Sequence, residues 1–236
     1  MSIDQTNTKE LIASLVTKPQ DFASSGKAHV LLQRYLEGED VISLRPLLLS
    51  SHQLVQEEAL WILSELGIKG VPLMQEAMIL HESAPIWQMR ATALEIIAVC
   101  SIGEHLDKYM HVILALESPQ SLCRCIAMSL VARSLDAQLK CTLTKLEAAE
   151  EKKTLHCHGL NLLLHSRQFN QDQMLMLLRT SESLSRKYAA IAIWREGERM
   201  LEVFSSLPLF SDPDLTEFHR WESSLGHPSG RHLYPT

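Results

Sequence analysis

The sequence predicts an all-α fold, built as a right-handed α–α superhelix (solenoid) of about five to six helical hairpins. Three observations support this. Leu, Ala, Ile and Met dominate the apolar residues, and aromatic residues make up only 6% of the 236-residue chain, a composition that favours helices over sheets. Apolar residues recur at helical spacing in successive segments. One such segment returns every 31–34 residues, a period typical of helical-hairpin repeats.

The clearest repeated segment extends from Leu54 to Gly67. Its apolar side chains fall on one face of a helix, at the spacing i, i+4, i+7, i+8, i+11: Val55, Ala59, Ile62, Leu63 and Leu66. Gly67 follows as a helix stop. This segment predicts an amphipathic helix that buries one face.

A small residue marks the same position in each copy of this helix. The copies carry Ala28, Ala59, Ala93, Ala127, Gly159 and Ala190. Where two helices cross closely, a small side chain leaves room for the neighbouring backbone. The recurrence therefore predicts a helix crossing in each repeat.

Second helices are predicted between these copies, over residues 71–80, 104–117, 135–150 and 171–179. Pro72 fits the first turn of the earliest of them. We expect a single domain, with an N-terminal cap over 1–27, repeats over 28–205 and a C-terminal cap or tail over 206–236. The N-terminal cap contains an amphipathic helix over 3–16. A short helix near 215–225 is expected to cover the last helix pair.

The repeat resembles the HEAT type, in the short bacterial variety related to armadillo folds. The resemblance covers roughly residues 28–205 and is carried by Leu47-Leu48-Leu49-Ser50, Val55, Glu58-Ala59-Leu60, Leu63 and Leu66-Gly67. Arg90 and Arg124 stand near the positions of the family's bracing Arg, whereas Gln56 occupies the first such position. The resemblance implies that second helices line a concave face that binds a partner.

Charge is unevenly distributed along the chain. The formal net charge is −6, which argues against a protein whose main task is to hold nucleic acid. Residues 37–104 alone carry a net charge of −7. An acidic half of this kind favours a basic protein partner, and makes nucleic acid an unlikely one.

The predicted partner-binding residues combine two acidic residues of the first repeated helix with the outward positions of the second helices. Ile79 and Val112 are expected to be exposed apolar side chains that a partner would bury. The full set is Glu57, Glu58, Gln75, Glu76, Ile79, Asp107, Lys108, His111, Val112, Gln138, Lys145 and His158.

The sequence predicts no catalytic, metal or cofactor site. His156 and His158 point to different sides of a helix, while His158 and His165 share a face without a third ligand. The five cysteines contain no CxxC pair and are expected to be reduced and mostly buried. A polar N-terminal segment and the lack of a long apolar run predict a cytoplasmic protein without a membrane span.

The function we expect is therefore non-enzymatic docking of a basic protein on the solenoid surface. One version is an immunity protein that neutralises a toxin. Two alternatives remain open, both by analogy of architecture: a HEAT-like DNA-binding or repair protein of the alkylpurine glycosylase type, and a protein similar to chromophore lyases.

Overall fold

The computed structural model describes residues 7–149, 154–180 and 182–225. These residues contain 15 α-helices linked by turns and short 3-10 helices, and no strand, so the all-α prediction is confirmed for them. The chain divides into two compact units, Met1–Cys100 and Ser101–Thr236.

The first unit contains seven α-helices among its described residues. They are α1 (Thr8–Thr17), α2 (Pro19–Ser24), α3 (Lys27–Leu36), α4 (Arg45–Leu48), α5 (Gln53–Glu65), α6 (Met74–Ser83) and α7 (Trp87–Cys100). The repeated helices pack in sequence order, α3 on α5 and α5 on α7. Ala59 and Ala93 are fully buried at these crossings, as the repeat predicts. Gly67 ends the repeated helix α5 with a φ of +56°, a left-handed conformation that glycine adopts without steric cost.

The second unit contains eight α-helices in its described part. They are α8 (Met110–Leu114), α9 (Ser121–Ala132), α10 (Asp136–Ala148), α11 (Thr154–Leu164), α12 (Gln171–Leu178), α13 (Ser183–Arg195), α14 (Leu201–Ser205) and α15 (Pro213–Leu225). Helix α13 is the centre of this unit: it contacts α9, α11 and α12, and every residue from Lys187 to Trp194 is buried.

Helix α9 departs from a simple stack of repeats. In a one-dimensional array each repeat contacts its sequence neighbours. Here α9 packs mainly on α13 and α15, and α11 packs on α13. The predicted helix near 215–225 is present as α15. It contacts the last helix pair, through α13 and through Phe204 of α14, whose ring centroid lies 6.3 Å from that of Phe218, but its main helical partner is α9.

An arginine brace repeats at the start of three helices. Arg90, Arg124 and Arg186 each donate a hydrogen bond to the carbonyl oxygen six residues earlier, over 2.7, 2.8 and 2.9 Å. Ala93 and Ala127 each lie three residues after the arginine of their helix. The residue three after Arg186 is Ala189, so Ala189, and not Ala190, is the structural equivalent of Ala93 and Ala127. The predicted repeat position in α13 is therefore shifted by one residue, although both alanines are fully buried.

The second helices are less regular than predicted. Residues 67–73 form a 3-10 helix before α6, with Pro72 inside it, and residues 103–109 form another before α8. The helices predicted over 135–150 and 171–179 match α10 and α12 closely. Of the N-terminal helix predicted over 3–16, residues 3–6 lie outside the described residues, and α1 accounts for the rest.

Within the described ranges, no helix combines the length and the apolar composition that crossing a membrane requires.

Candidate functional site

The predicted partner-binding residues fall in both units. Glu57, Glu58, Gln75, Glu76 and Ile79 belong to the first unit, and the other seven belong to the second. Gln75 and Ile79 are exposed on α6, as expected for outward positions, and 44% of Ile79 is accessible.

Three of the predicted outward side chains are buried instead. Val112 and Gln138 are 0% exposed and Glu76 is 7% exposed. Val112 follows a 3-10 helix, whose three residues per turn rotate the following positions away from the α-helical register assumed in the prediction.

Gln138 and Glu76 are buried because each has a local partner. The Gln138 side chain accepts a hydrogen bond from the Leu135 N–H at 2.9 Å and donates to the Ser101 carbonyl at 3.0 Å. Glu76 accepts from the Arg45 guanidinium at 2.6 Å. Both groups therefore stabilise the fold rather than face a partner.

Asp107, Lys108 and Lys145 form one ion-pair cluster in the second unit. Lys145 Nζ lies 2.7 Å and Lys108 Nζ 3.1 Å from Asp107 Oδ2. The hydrogen bond from Lys145 is the main cause that lowers the pKa of Asp107 below its ordinary value. The one carboxylate pairs with both ammonium groups, so the cluster carries a formal net charge of +1. His111, on the adjacent α8, is partly exposed.

A pocket in the first unit lies beside two of the predicted acidic residues. We call it the Trp61 pocket; it has a volume of about 300 Å³ and is lined by Glu57, Leu60, Trp61, Ile86, Gln88, Met89 and Thr92. Helix α5 supplies Glu57 and Trp61 at i and i+4, which places them on one face of the helix. The start of α7 and the residue before it supply the opposite wall. The pocket therefore combines a carboxylate with an indole ring.

The carboxylates beside the Trp61 pocket are held close together. Glu57 accepts a hydrogen bond from Gln53 at 2.7 Å. Partial burial raises the pKa of Glu58 above its ordinary value, the Glu57 carboxylate raises it further, and His29 opposes both effects. The His29 ring packs against Trp61 with ring centroids 4.8 Å apart. Repulsion between two neighbouring carboxylates makes their ionised forms less stable. A positive charge nearby reduces this repulsion, so the pair favours a cation.

The Trp61 pocket has the groups that bind a cationic side chain. An ammonium or guanidinium group is attracted to an indole face and to a carboxylate at the same time. Thr92 and Gln88 add neutral hydrogen-bonding groups, and Leu60 and Met89 add apolar surface for an alkyl stem. The sequence pointed to Glu57 through charge, but it gave no signal that Trp61 and α7 would enclose it.

Glu117, His156 and Tyr188 form a series of hydrogen bonds in the second unit that was not predicted; His156 and Tyr188 are buried and Glu117 is exposed. His156 Nδ1 lies 2.8 Å from the Tyr188 hydroxyl, and His156 Nε2 lies 2.7 Å from Glu117 Oε2. Burial, reinforced by the charge of Glu117, raises the pKa of Tyr188 well above its ordinary value, so the phenol keeps its proton. With a proton on Nε2, His156 accepts from Tyr188 and donates to Glu117. These two hydrogen bonds fix the position of the Tyr188 ring.

Two of the buried cysteines, Cys100 and Cys125, lack the properties of nucleophiles. Cys100, Cys123 and Cys125 are buried, and Cys141 and Cys157 are partly exposed. Burial raises the pKa of Cys100 and of Cys125 to about 12, which keeps both as thiols at neutral pH. The prediction that most of the cysteines are buried is confirmed by Cys100, Cys123 and Cys125.

Across the part of the chain that the structure describes, no group of three or more His, Cys, Asp or Glu side chains is placed to hold a metal ion. Comparisons with protein-family models, with curated proteins and with solved structures found no match to this chain.

Proposed function

We propose that this protein is a non-enzymatic interaction module that docks a basic protein, and that the Trp61 pocket receives a Lys or Arg side chain of that partner. The observation that carries the proposal is the position of Glu57 and Trp61 in one pocket of the acidic first unit. Trp61 is partly exposed, and an aromatic side chain that a partner buries next to a charge is typical of the residues that dominate binding energy in protein interfaces.

The charge distribution supports a basic partner. The segment 37–104, with its net charge of −7, falls mostly within the first unit. An acidic field attracts a basic protein over a distance of about 10 Å at 0.1 M salt and accelerates its association. Packing of α3, α5 and α7 in sequence order supports a solenoid-type scaffold of the HEAT kind as the framework of this surface.

Charge reversal at the pocket tests the proposal. The purified protein is used to capture partners from its native host at low and at high salt, and bound proteins are identified by mass spectrometry. We expect a stoichiometric basic protein that is released at high salt. With that partner, Glu57→Lys combined with Glu58→Lys is expected to weaken binding by at least about tenfold, which corresponds to about 1.4 kcal/mol.

Glu65→Lys is the matched control for the single variant Glu57→Lys, because both reverse one charge, and Glu65 is exposed on the same helix and lies roughly 12 Å along its axis from Glu57. It changes the net charge but leaves the pocket intact. Equal weakening by Glu65→Lys would show a diffuse charge effect and contradict the role of the pocket. A toxin domain as the partner would support the immunity version, and recovery of nucleic acid in place of protein would contradict the proposal.

The raised pKa of Glu58 predicts a pH dependence of docking. A bound cation favours the ionised form of Glu58, so binding should release a proton when Glu58 is partly protonated. Affinity should therefore rise with pH through the range just above the ordinary pKa of 4.5 and level off once Glu58 is ionised. Calorimetric titration of the partner between pH 4.5 and 7 measures this, and Glu58→Gln should flatten the profile.

A further inference from the structure

A second pocket, independent of the Trp61 pocket, lies within the second unit between α11, α12 and α13. Its volume is about 400 Å³. Gly159, Leu162 and Tyr188 form a buried floor, and Phe169 and Leu177 are partly buried at its sides. The exposed rim is polar: His158, Asn161, His165 and Gln168, with a partly exposed Ser185. We call this the Tyr188 pocket. An apolar floor with a few polar groups above it is typical of small-molecule sites.

The floor of the Tyr188 pocket is fixed in two ways. Gly159 has no side chain, so the Tyr188 ring packs directly against the backbone of α11. The Tyr188 hydroxyl is held by His156, which is itself held by Glu117. The hydroxyl is therefore already hydrogen-bonded, and the fully buried ring supports the backbone of α11 at the bottom of the pocket. A preformed surface of this kind loses little entropy when a ligand binds.

The chemistry of the lining selects an uncharged ligand. Among the described residues that line the Tyr188 pocket there is no Asp, Glu, Lys or Arg. A charged ligand would lose hydration there without gaining an Asp, Glu, Lys or Arg partner. Asn161 Nδ2 already donates to the Cys157 carbonyl and His165 Nδ1 lies 2.9 Å from the Asn161 carbonyl, so the His158 ring, His165 Nε2 and Asn161 Oδ1 are the groups offered to a hydroxyl or carbonyl of the ligand.

The volume and the aromatic side chains indicate the type of ligand. A cavity of about 150 Å³ holds benzene, so a pocket of about 400 Å³ has room for two fused rings with a polar substituent. The partly exposed ring of Phe169 favours stacked or edge-to-face contacts with another aromatic ring. We propose that the Tyr188 pocket binds an uncharged aromatic small molecule, with its rings against Phe169, Leu162 and Leu177 and its polar group at His158, Asn161 and His165.

The test uses 2-naphthol as the probe and the full chain as the protein, at pH 7.5. Calorimetric titration is expected to give saturable one-to-one binding with a dissociation constant below about 1 mM. The carboxylate analogue 2-naphthoate is expected to bind at least about tenfold more weakly, since its charge has no partner in the pocket.

Leu177→Trp places a large side chain in the pocket and is expected to weaken 2-naphthol binding at least about tenfold. Met176→Trp is the matched control, because Met176 is the adjacent residue, is 69% exposed and does not line the pocket. It should leave the binding unchanged. His158→Ala, at an exposed rim position, is expected to weaken binding by about threefold to tenfold through loss of a hydrogen bond.

If Leu177→Trp does not fold, chemical-shift mapping of the unchanged protein decides the question. Shifts caused by 2-naphthol should be largest at Leu162, Leu177 and Tyr188. Absence of saturable binding up to about 1 mM, or shifts centred on another surface, would overturn the proposal. Equal affinity for 2-naphthoate would overturn the assignment of an uncharged ligand.

Discussion

Replacing Asp214 with alanine is expected to lower the free energy of unfolding by about 3–5 kcal/mol, because two largely buried cations lose their counter-ion. Arg124 Nε lies 2.7 Å and Lys187 Nζ 3.3 Å from Asp214 Oδ2, and the side chains of Lys187 and Asp214 are each only 5% exposed. Ser121 also donates to Asp214 at 2.9 Å. Urea unfolding followed by circular dichroism measures the loss.

The matched control is Asp107→Ala, because Asp107 also pairs with two cations but in a more accessible cluster, where its own side chain is 22% exposed. The Lys145 side chain in that cluster is 48% exposed. Exposed ion pairs contribute about 1 kcal/mol or less, so this variant should retain most of the stability. Similar losses in both variants would show that burial of the Asp214 cluster has no energetic role.

The stabilisation by Asp214 should also depend on pH. Burial acts to raise the pKa of Asp214, but hydrogen bonds from Arg124 and Ser121, together with the charge of Lys187, hold the pKa below its ordinary value of 3.8. A carboxyl group with a depressed folded-state pKa contributes its full stabilisation above 3.8 and loses it as the pH falls through the folded-state pKa. The difference between the unchanged protein and Asp214→Ala should therefore shrink when measured at pH 3 and below.

Replacing Gly159 with alanine is expected to destabilise the protein by about 3 kcal/mol or more, since a methyl group there has no space. A Cβ atom built on Gly159 overlaps the Tyr188 ring. The ring cannot move aside easily, because it is fully buried and its hydroxyl is held by His156. Thermal unfolding and urea unfolding of Gly159→Ala should both show the loss.

Gly70→Ala is the control for Gly159→Ala. A Cβ at Gly70 would lie 3.0 Å from Leu63 Cδ1, the end of a flexible side chain that can shift by a few tenths of an ångström. We expect a cost of about 1 kcal/mol or less. Combining Gly159→Ala with Tyr188→Leu should recover part of the lost stability, since the smaller side chain removes the overlap. A loss that is unchanged in the double variant would contradict this explanation.

Local periodicity accounts for the parts of the fold that could be predicted. The burial of Ala59, Ala93 and Ala127 follows from a small residue within an apolar helical face, a signal contained in about ten consecutive residues. Val112 shows the limit of that signal, because a 3-10 turn a few residues earlier was enough to change which face is buried.

The candidate sites depend on partners that are distant in sequence. Residues 57 and 92 meet in the Trp61 pocket, and Tyr188 approaches Gly159 from a different helix. The number of charges along the sequence identified Glu57 as part of an acidic surface. It could not show that residues at the start of α7, such as Met89 and Thr92, would lie across the pocket from Glu57. His158 was predicted as a groove residue and lies at the rim of the Tyr188 pocket. The shape of this pocket depends on its floor of Gly159, Leu162 and Tyr188, which the prediction of His158 did not include.

The pairing of α9 with α15 has a consequence for synthesis of the chain on the ribosome. The partners of Arg124 and Arg133 lie about 90 residues later, at Asp214 and Glu222. Chains are synthesised at roughly 5–20 residues per second, so at least several seconds pass between the synthesis of α9 and that of its partners. In the first unit the Arg45–Glu76 pair spans only 31 residues. The first unit can therefore complete its contacts cotranslationally, whereas a nascent second unit presents an apolar and cationic α9 to chaperones until residue 222 has left the exit tunnel.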